Sequence, residues 1–357
     1  EKFRKHVGLA QRIMDDIIDL ELEKVDAILN KIYSDPEDEE IKRVEISLWE
    51  NIKRKALEGR RTGVGITAEG DMLAGLGLQY GSENAIDFSV EVHKTIALEA
   101  YRSSVNMARE RGPFEVFDFN KEKDNPFINR LGKEDPELLK EMKNHGRRNI
   151  SLLTIAPTGT TSLMTQTTSG IEPVFLPVYK RRRKVNPNDT DAEVTFVDEV
   201  GDSWEEYNVF HHNFLTWLKV NGMDPEEVKN FSDGDVEELV KQSPYHKATS
   251  NDVDWMKKVK MQGAIQKWVD HSISVTINLP SDAKKELVGD LYVKAWESGC
   301  KGVTVYRDGS RSGVLLASDK NKKEEKEFPI RRPRELDAEI LRFKNNEEDW
   351  IAFIGLL

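Results

Sequence analysis

The sequence predicts an α/β chain in which parallel strands lie beneath a layer of helices. Three observations predict it. Residues 272–278 alternate, with Ile273, Val275 and Ile277 on one face and Ser272, Ser274, Thr276 and Asn278 on the other; residues 302–307 likewise set Val303 and Val305 against Thr304 and Tyr306. The helix-period stretch 282–298 separates these two runs, and strand, crossover helix and strand make a right-handed parallel unit. A third apolar, strand-prone run, 150–155, leads through Pro157-Thr158-Gly159-Thr160-Thr161-Ser162 into a short helical segment expected over 163–167.

Outer helices explain the apolar strand faces. The Ser, Thr, Asn and Tyr faces then look either into solvent or into a barrel that holds a polar ligand, and burial under helices favours the barrel.

The other elements follow in order. Residues 1–58 carry helical stripes, Val7, Ala10, Ile13, Met14, Ile17 and Ile18, then Val44, Leu48, Trp49 and Ile52 after the break at Asp35-Pro36-Glu37; both read as packing faces. Residues 61–67 are β-prone with Gly63 and Gly65 at alternate positions, where glycine permits a bend, a bulge or close backbone approach. A long helix over 84–111 places Phe88, Val92, Ile96, Ala100, Tyr101, Val105 and Ala108 on one stripe and stops at Gly112-Pro113; His93 falls off that stripe and is expected at the surface. Residues 120–145 are polar, with a surface helix near 136–144.

Residues 186–204 read as an acidic surface insertion with a hairpin around 194–200. Helices are expected over 207–220, 225–241 and 251–269. His211 and His212 are sequence neighbours that point to different helix faces, so they do not share a metal, and no metal site is expected. Residues 318–327 form a charged linker, and 336–357 a small module whose hairpin turns at Asn345-Asn346. The resulting division is a main domain over 1–316, a linker over 317–330 and an incomplete β-containing module over 331–357.

Composition narrows the function. With 357 residues, 38% hydrophobic and 33% charged, the chain reads as soluble, without a membrane span or signal peptide. A net charge of -11 argues against broad nucleic-acid affinity, and Lys180-Arg181-Arg182-Arg183-Lys184 is a local basic run that reads either as a site for phosphates or, the favoured reading, as a solvated face. One cysteine, Cys300, excludes an internal disulfide and a cysteine-built metal site within this chain, which fits the cytoplasm. Both ends look cut, Glu1 because it is no initiator and residues 350–357 because they stop within an apolar run.

The stretch 147–175 carries the chemistry. A strand that turns into a helix N-terminus presents unpaired backbone N–H groups and the positive end of a helix dipole, and the hydroxyls of Thr158, Thr160 and Thr161 stand beside them. That corner suits a phosphate, and equally it serves as a plain N-cap. No Gly-Lys-Ser/Thr follows Gly159, so it is not a Walker A loop.

Five landmarks in order resemble one family. The stretch 147–175, the strand 269–280 (VDHSISVTINLP), the segment 298–309 (SGCKGVTVYRDG), Arg60-Arg61-Thr62-Gly63-Val64-Gly65 and Arg332-Pro333-Arg334-Glu335-Leu336 resemble the large chain of ribonucleotide reductase, most closely its class II, adenosylcobalamin-dependent form. The resemblance implies the C-terminal half of a ten-stranded α/β barrel with outer helices. It implies that Pro157, Thr158, Gly159, Thr160 and Thr161 hold the substrate phosphates, with Ser162 (which also reads as a cap), Ser274, Asn278 and Tyr306 as pocket lining. It further implies a ribonucleotide substrate, adenosylcobalamin as cofactor, and an external thiol reductant such as thioredoxin. A homodimer is compatible with it.

The sequence departs from the family in one respect. The radical-cysteine pattern Asn-x-Cys-x-Glu and the redox cysteines are absent, so no catalytic residue is assigned here. Cys300 lies in the final-strand segment and reads as a packing residue. The family order places the missing pattern before residue 1, so the chain reads as a split subunit or fragment that needs the N-terminal half and is inactive alone. A half-barrel would leave a strand edge exposed and calls for a tight partner. The competing readings are a non-catalytic nucleotide-binding or assembly subunit and a class I large-chain fragment; against the latter, Val305-Tyr306-Arg307 lacks adjacent tyrosines.

Overall fold

A computed structural model describes residues 1–185, 194–197, 203–310, 338–345 and 348–355. The chain divides into two units, Glu1–Ser312 and Gly313–Leu357.

The first unit begins with a helical hairpin. Helix α1 (Lys2–Ser34) ends where Asp35-Pro36 cannot continue it, and α2 (Glu39–Gly59) starts at Asp38, whose carboxylate accepts from the Glu40 amide at 2.8 Å. The buried row of α1 runs through Val7, Gln11, Asp15, Ile18, Val25, Leu29 and Ile32. Ile13 and Ile17, expected on the packing face, are exposed, as are Val44 and Leu48 of α2. The reason is polar: Gln11 and Asp15 face inward to bind Asn149 and Arg60, which turns Ile13 and Ile17 outward.

Helix α3 (Glu69–Gly75) and the long α4 (Glu83–Arg111) follow, α4 ending at Gly112 with φ 84°. His93 of α4 is buried and not at the surface as its position off the stripe suggests. It shares a helical row with Ser89, four residues earlier, and its Nε2 lies 3.5 Å from Glu69 Oε2 at the start of α3, so a second, polar face of α4 is covered. Three short helices, α5 (Phe119–Glu122), α6 (Pro126–Glu134) and α7 (Pro136–His145), lead to the central stretch and its helix α8 (Gly159–Thr165).

Strand β1 (Val178–Lys184) pairs antiparallel with β3 (Ser203–Phe210), and the short β2 (Phe196–Val197) pairs with the other edge of β3. Residues 207–210, expected as helix, are therefore strand, because pairing with β1 along Val178↔Phe210 to Lys184↔Trp204 overrides local preference. The basic run lies on β1, where Lys180 Nζ meets Glu206 at 3.1 Å and Asp233 at 2.7 Å. Of the acidic insertion, 186–193 and 198–202 lie outside the described residues.

Helix α9 (His212–Val220) comes next. The expected helix over 225–241 is two, α10 (Pro225–Val228) and α11 (Asp233–Lys241), because Ser232 caps a new start by accepting from the Asp235 amide at 3.2 Å. Helix α12 (Trp255–Gln266) precedes β4 (Thr276–Leu279), α13 (Lys285–Glu297) and β5 (Thr304–Arg307).

Strands β4 and β5 pair in parallel across the crossover helix α13, with Asn278 opposite Tyr306. Backbone bonds extend this array through two further extended segments. His271 N donates to Leu153 O at 3.0 Å and Ser274 N to Ile155 O at 2.7 Å; Val64 N donates to Leu152 O at 2.7 Å and Thr154 N to Val64 O at 2.9 Å. The order is 62–64, 151–155, 271–279, 304–307, all parallel. The fold is α/β, and the array forms no closed sheet among the described residues.

Alternation places the layers as the sequence requires. Leu152, Leu153, Ile155, Ile273 and Val275 join the main core with residues of α4 and α12, and Ile277 and Leu279 pack with Val259, Leu291 and Ala295. Ser272 and Ser274 face outward and are exposed, while Thr276, Asn278 and Tyr306 are half-buried. The close approach of 62–65 to 151–155 depends on glycine: a Cβ at Gly63 would stand 2.9 Å from Thr154 Cγ2, and one at Gly65 would overlap the Thr154 carbonyl oxygen.

The second unit shows an antiparallel hairpin of β6 (Ala338–Asn345) and β7 (Glu348–Gly355), with Asn345 opposite Glu348. The expected linker and the Arg332–Leu336 landmark lie outside the described residues.

Candidate phosphate-binding turn

The turn is built from the end of one array strand. Arg147 anchors its start: the buried guanidinium binds Glu122, with Nη2 to Oε1 at 2.6 Å, and donates to the carbonyls of Asn149 at 3.0 Å and Ile150 at 2.9 Å. Asp270 then receives the amides of Leu152 at 2.8 Å and Leu153 at 2.9 Å, together with the Tyr101 hydroxyl at 2.7 Å. The strand thus reaches Ile155 held from both sides.

Beyond it, α8 starts at Gly159 with Thr158 as its N-cap, and no side chain caps it. The first amides of a helix have no helical acceptor, so those of Gly159, Thr160 and Thr161 point forward from the turn. Nothing lies within 4 Å of where a Gly159 Cβ would stand, so a side chain there would meet open space. Pro157, Gly159, Thr160 and Thr161 are exposed. The hydroxyls of Thr160 and Thr161 have solvent access beside the free amides, an arrangement that can bind an anion such as phosphate.

Thr158 is arranged differently. Its hydroxyl accepts from the Gly170 amide at 2.8 Å and bonds Ser169 Oγ at 2.9 Å, so it closes the turn on the returning chain. Ser162 is buried and donates back to Gly159 O at 2.9 Å. Ser274 sits beside the turn through its amide bond to Ile155 O. Asn278 and Tyr306 are partners further along β4 and β5, and no hydrogen bond among the described residues joins them to the turn.

Three charged residues that the sequence reading left aside hold this region. Glu172 Oε1 accepts the Thr276 amide at 2.7 Å, and Lys258 Nζ binds both Glu172 Oε2 and Thr276 O at 2.6 Å. Asp71 receives the Thr168 amide on Oδ2 at 2.8 Å, and on Oδ1 His211 Nε2 at 2.7 Å and the Tyr245 hydroxyl at 3.0 Å. Burial pushes the Asp71 carboxyl up, but the His211 hydrogen bond and charge, with those from Thr168 and Tyr245, bring it below the ordinary carboxylate value. The signal for Glu172 was present in Gly170-Ile171-Glu172-Pro173, a carboxylate between apolar neighbours; Lys258 looks in sequence like any lysine of a charged helix.

Elsewhere, Cys300 is half-buried beside the Val259 carbonyl at 3.9 Å, and burial pushes its thiol up to about 11. The carboxylates of Asp15, Asp16 and Asp19 lie close enough to hold a cation. Arg60, Arg111 and Arg148 already reach them, at 2.8 Å for Arg60 to both Asp15 and Asp19, which makes the cluster an ion-pair network. Among the described residues no helix is long and apolar enough to cross a membrane.

Parallel extended segments under helices, with an exposed hydroxyl-rich turn at the end of one of them, define an α/β scaffold. Residues 1–306 match the family described as ribonucleotide reductase, barrel domain, and the chain belongs to that family. It is 28% identical over 330 residues to a protein of Mycobacterium tuberculosis (strain CDC 1551 / Oshkosh) named vitamin B12-dependent ribonucleoside-diphosphate reductase, covering 89% of this chain and 38% of that one. A protein of the same name from Thermoplasma acidophilum is 27% identical over 330 residues, covering 92% of this chain and 36% of its own. Among solved structures, the class Id ribonucleotide reductase alpha subunit of Actinobacillus ureae superposes with a TM-score of 0.48 at 17% identity, over 72% of this chain and 41% of that one. The chain spans little more than a third of the length of these two curated relatives.

Proposed function

We propose that the chain is part of an adenosylcobalamin-dependent ribonucleotide reductase, in which it supplies the substrate-phosphate turn and part of the wall of a ten-stranded barrel. The observation that carries this reading is the uncapped start of α8, where Gly159, Thr160 and Thr161 are exposed and their amides have no helical acceptor. In this reading Pro157 and Thr158 shape the turn, the three amides and the Thr160 and Thr161 hydroxyls bind the diphosphate, and Ser274 flanks it. Asn278 and Tyr306 line the wall further from the phosphate, and Ser162 stiffens α8. The relatives' name supports a ribonucleoside diphosphate as substrate.

Cobalamin supplies radical generation to the assembled enzyme. This chain's residues do not fit a partner in that step: its single thiol, Cys300, is packed against a backbone carbonyl with its ionisation pushed up, and the sequence holds no Asn-x-Cys-x-Glu. The role of the chain is therefore binding and orientation. The radical cysteine and the thiol pair that a thioredoxin-type reductant would recharge belong to an N-terminal half, as a separate chain or a preceding segment, and the open strand array is the surface that half would complete. A homodimer is compatible with this arrangement.

The test is reconstitution. Mixed with a chain carrying the N-terminal half, adenosylcobalamin and a dithiol, the protein should convert a ribonucleoside diphosphate to its 2′-deoxy form, and Gly159→Val should raise KM. Nucleotide binding without reduction would favour the second reading, a non-catalytic nucleotide-binding or assembly subunit.

A further inference from the structure

Asp71 stands one residue from the turn's own support. The returning chain 168–170 is clamped on one side by Thr158, whose hydroxyl accepts the Gly170 amide at 2.8 Å and bonds Ser169 at 2.9 Å. On its other side it is clamped by the start of α3. Thr168 N donates to Asp71 Oδ2 at 2.8 Å, Asp71 N donates to Thr168 Oγ1 at 3.3 Å, and Thr168 O accepts from Ala68 N at 2.9 Å and Thr67 Oγ1 at 2.7 Å. Gly70 adds close contact, since a Cβ there would stand 2.7 Å from the Glu172 carbonyl oxygen.

The other carboxylate oxygen of Asp71 is turned toward the β3–α9 corner. It accepts from His211 Nε2 at 2.7 Å and from Tyr245 at 3.0 Å, and His211 N is itself tied to Pro177 O at 2.9 Å. Tyr245 is buried and His211 nearly so, which fixes the orientation of the carboxylate. A buried carboxylate with every oxygen engaged holds its donors at defined distances.

We propose that Asp71 is the positioning residue of the phosphate turn: held by His211 and Tyr245, it sets the place of Thr168 and through Ser169 and Gly170 that of Thr158, so that the Gly159–Thr161 amides converge on the diphosphate. The proposal rests on the reading of this turn as the phosphate site. It also assigns a role to the antiparallel β1–β3 pair, since His211 directly follows Phe210 at the end of β3: the pair braces the site from outside the strand array.

The experiment is an ADP titration of the full 357-residue chain, followed by amide NMR shifts of Gly159, Thr160 and Thr161. ADP should shift these amides in the wild type, and Gly159→Val should abolish the response. Asp71→Asn should weaken the Kd about tenfold, and His211→Ala likewise, whereas His211→Gln, which keeps a side-chain N–H donor, should restore most of the affinity. Leu291→Ala, a change on the buried face of α13, serves as a control of matched thermal destabilisation and should leave the Kd within about twofold. Wild-type affinity in Asp71→Asn, or a loss no larger than in Leu291→Ala, would overturn the positioning role while the phosphate site stands. Absence of any shift at residues 159–161 in the wild type would remove both.

Discussion

Lys258 and Glu172 form an ion pair at 2.6 Å whose lysine is buried, and between them they hold both backbone groups of Thr276. The lysine side chain is 2% exposed and the glutamate 20%. The pair therefore joins α12 to the stretch after the 157–161 turn and to the first residue of β4.

Removing one partner leaves the other charge without compensation in a poorly solvated site. Lys258→Met should cost about 3 kcal/mol in urea unfolding, and Glu172→Gln in the same chain should recover part of it, because the amide still accepts from Thr276 N. A double variant as unstable as the sum of the two singles would show that the groups are not coupled.

Gly65 and Gly159 should respond oppositely to a side chain. At Gly65 a Cβ overlaps the Thr154 carbonyl oxygen, backbone that cannot swing away, so Gly65→Ala should destabilise by roughly 2 kcal/mol or more. At Gly159 the space is open, so Gly159→Ala should leave the unfolding midpoint close to wild type, with any change near 0.5 kcal/mol. Thermal melts of the two variants decide it, and equal losses would mean that the 62–65 segment is not held against 151–155 as described.

Acid should unfold the protein through Asp15 and Asp71. At Asp15, burial pushes the carboxyl up, but the hydrogen bond and charge of Arg60, with Asn149 and Arg148, bring it below the usual value; Asp71 is lowered despite its burial in the same way. With folded values below unfolded ones, the unfolded chain binds more protons as pH falls. The contribution is then fully present above the unfolded carboxylate value near 4 and is lost as pH drops through the lower folded values. Urea midpoints should fall from pH 5 to pH 3, and Asp71→Asn should flatten that slope. An unchanged slope would take Asp71 out of the acid response.

Cys300 should be a slow thiol. Burial pushes it up to about 11, so little thiolate exists near neutrality. Iodoacetamide at pH 8 should modify the folded chain far more slowly than the urea-unfolded chain, as read by intact mass. Equal rates would contradict its packing beside Val259.

The sequence by itself determined the α/β class, the parallel β4–α13–β5 unit, the helical breaks at Asp35-Pro36 and Gly112-Pro113, and the polar strand face with Ser274. These are legible because a period of two or of 3.6 and a chain-breaking residue act over a few neighbours. The location of the turn was legible for the same reason, although its helix starts at Gly159 and not at Leu163 as expected. What only the tertiary structure decided were contacts between residues far apart in the chain. Pairing with β1 made strand of 207–210, and polar partners turned Gln11 and Asp15 inward and Ile13 outward. Burial against Glu69 drew His93 inside, and the Thr158 hydroxyl was taken up by Ser169 and Gly170. Whether a polar side chain is buried depends on whether a partner folds within hydrogen-bond reach, and that distance exists only once the chain has closed on itself.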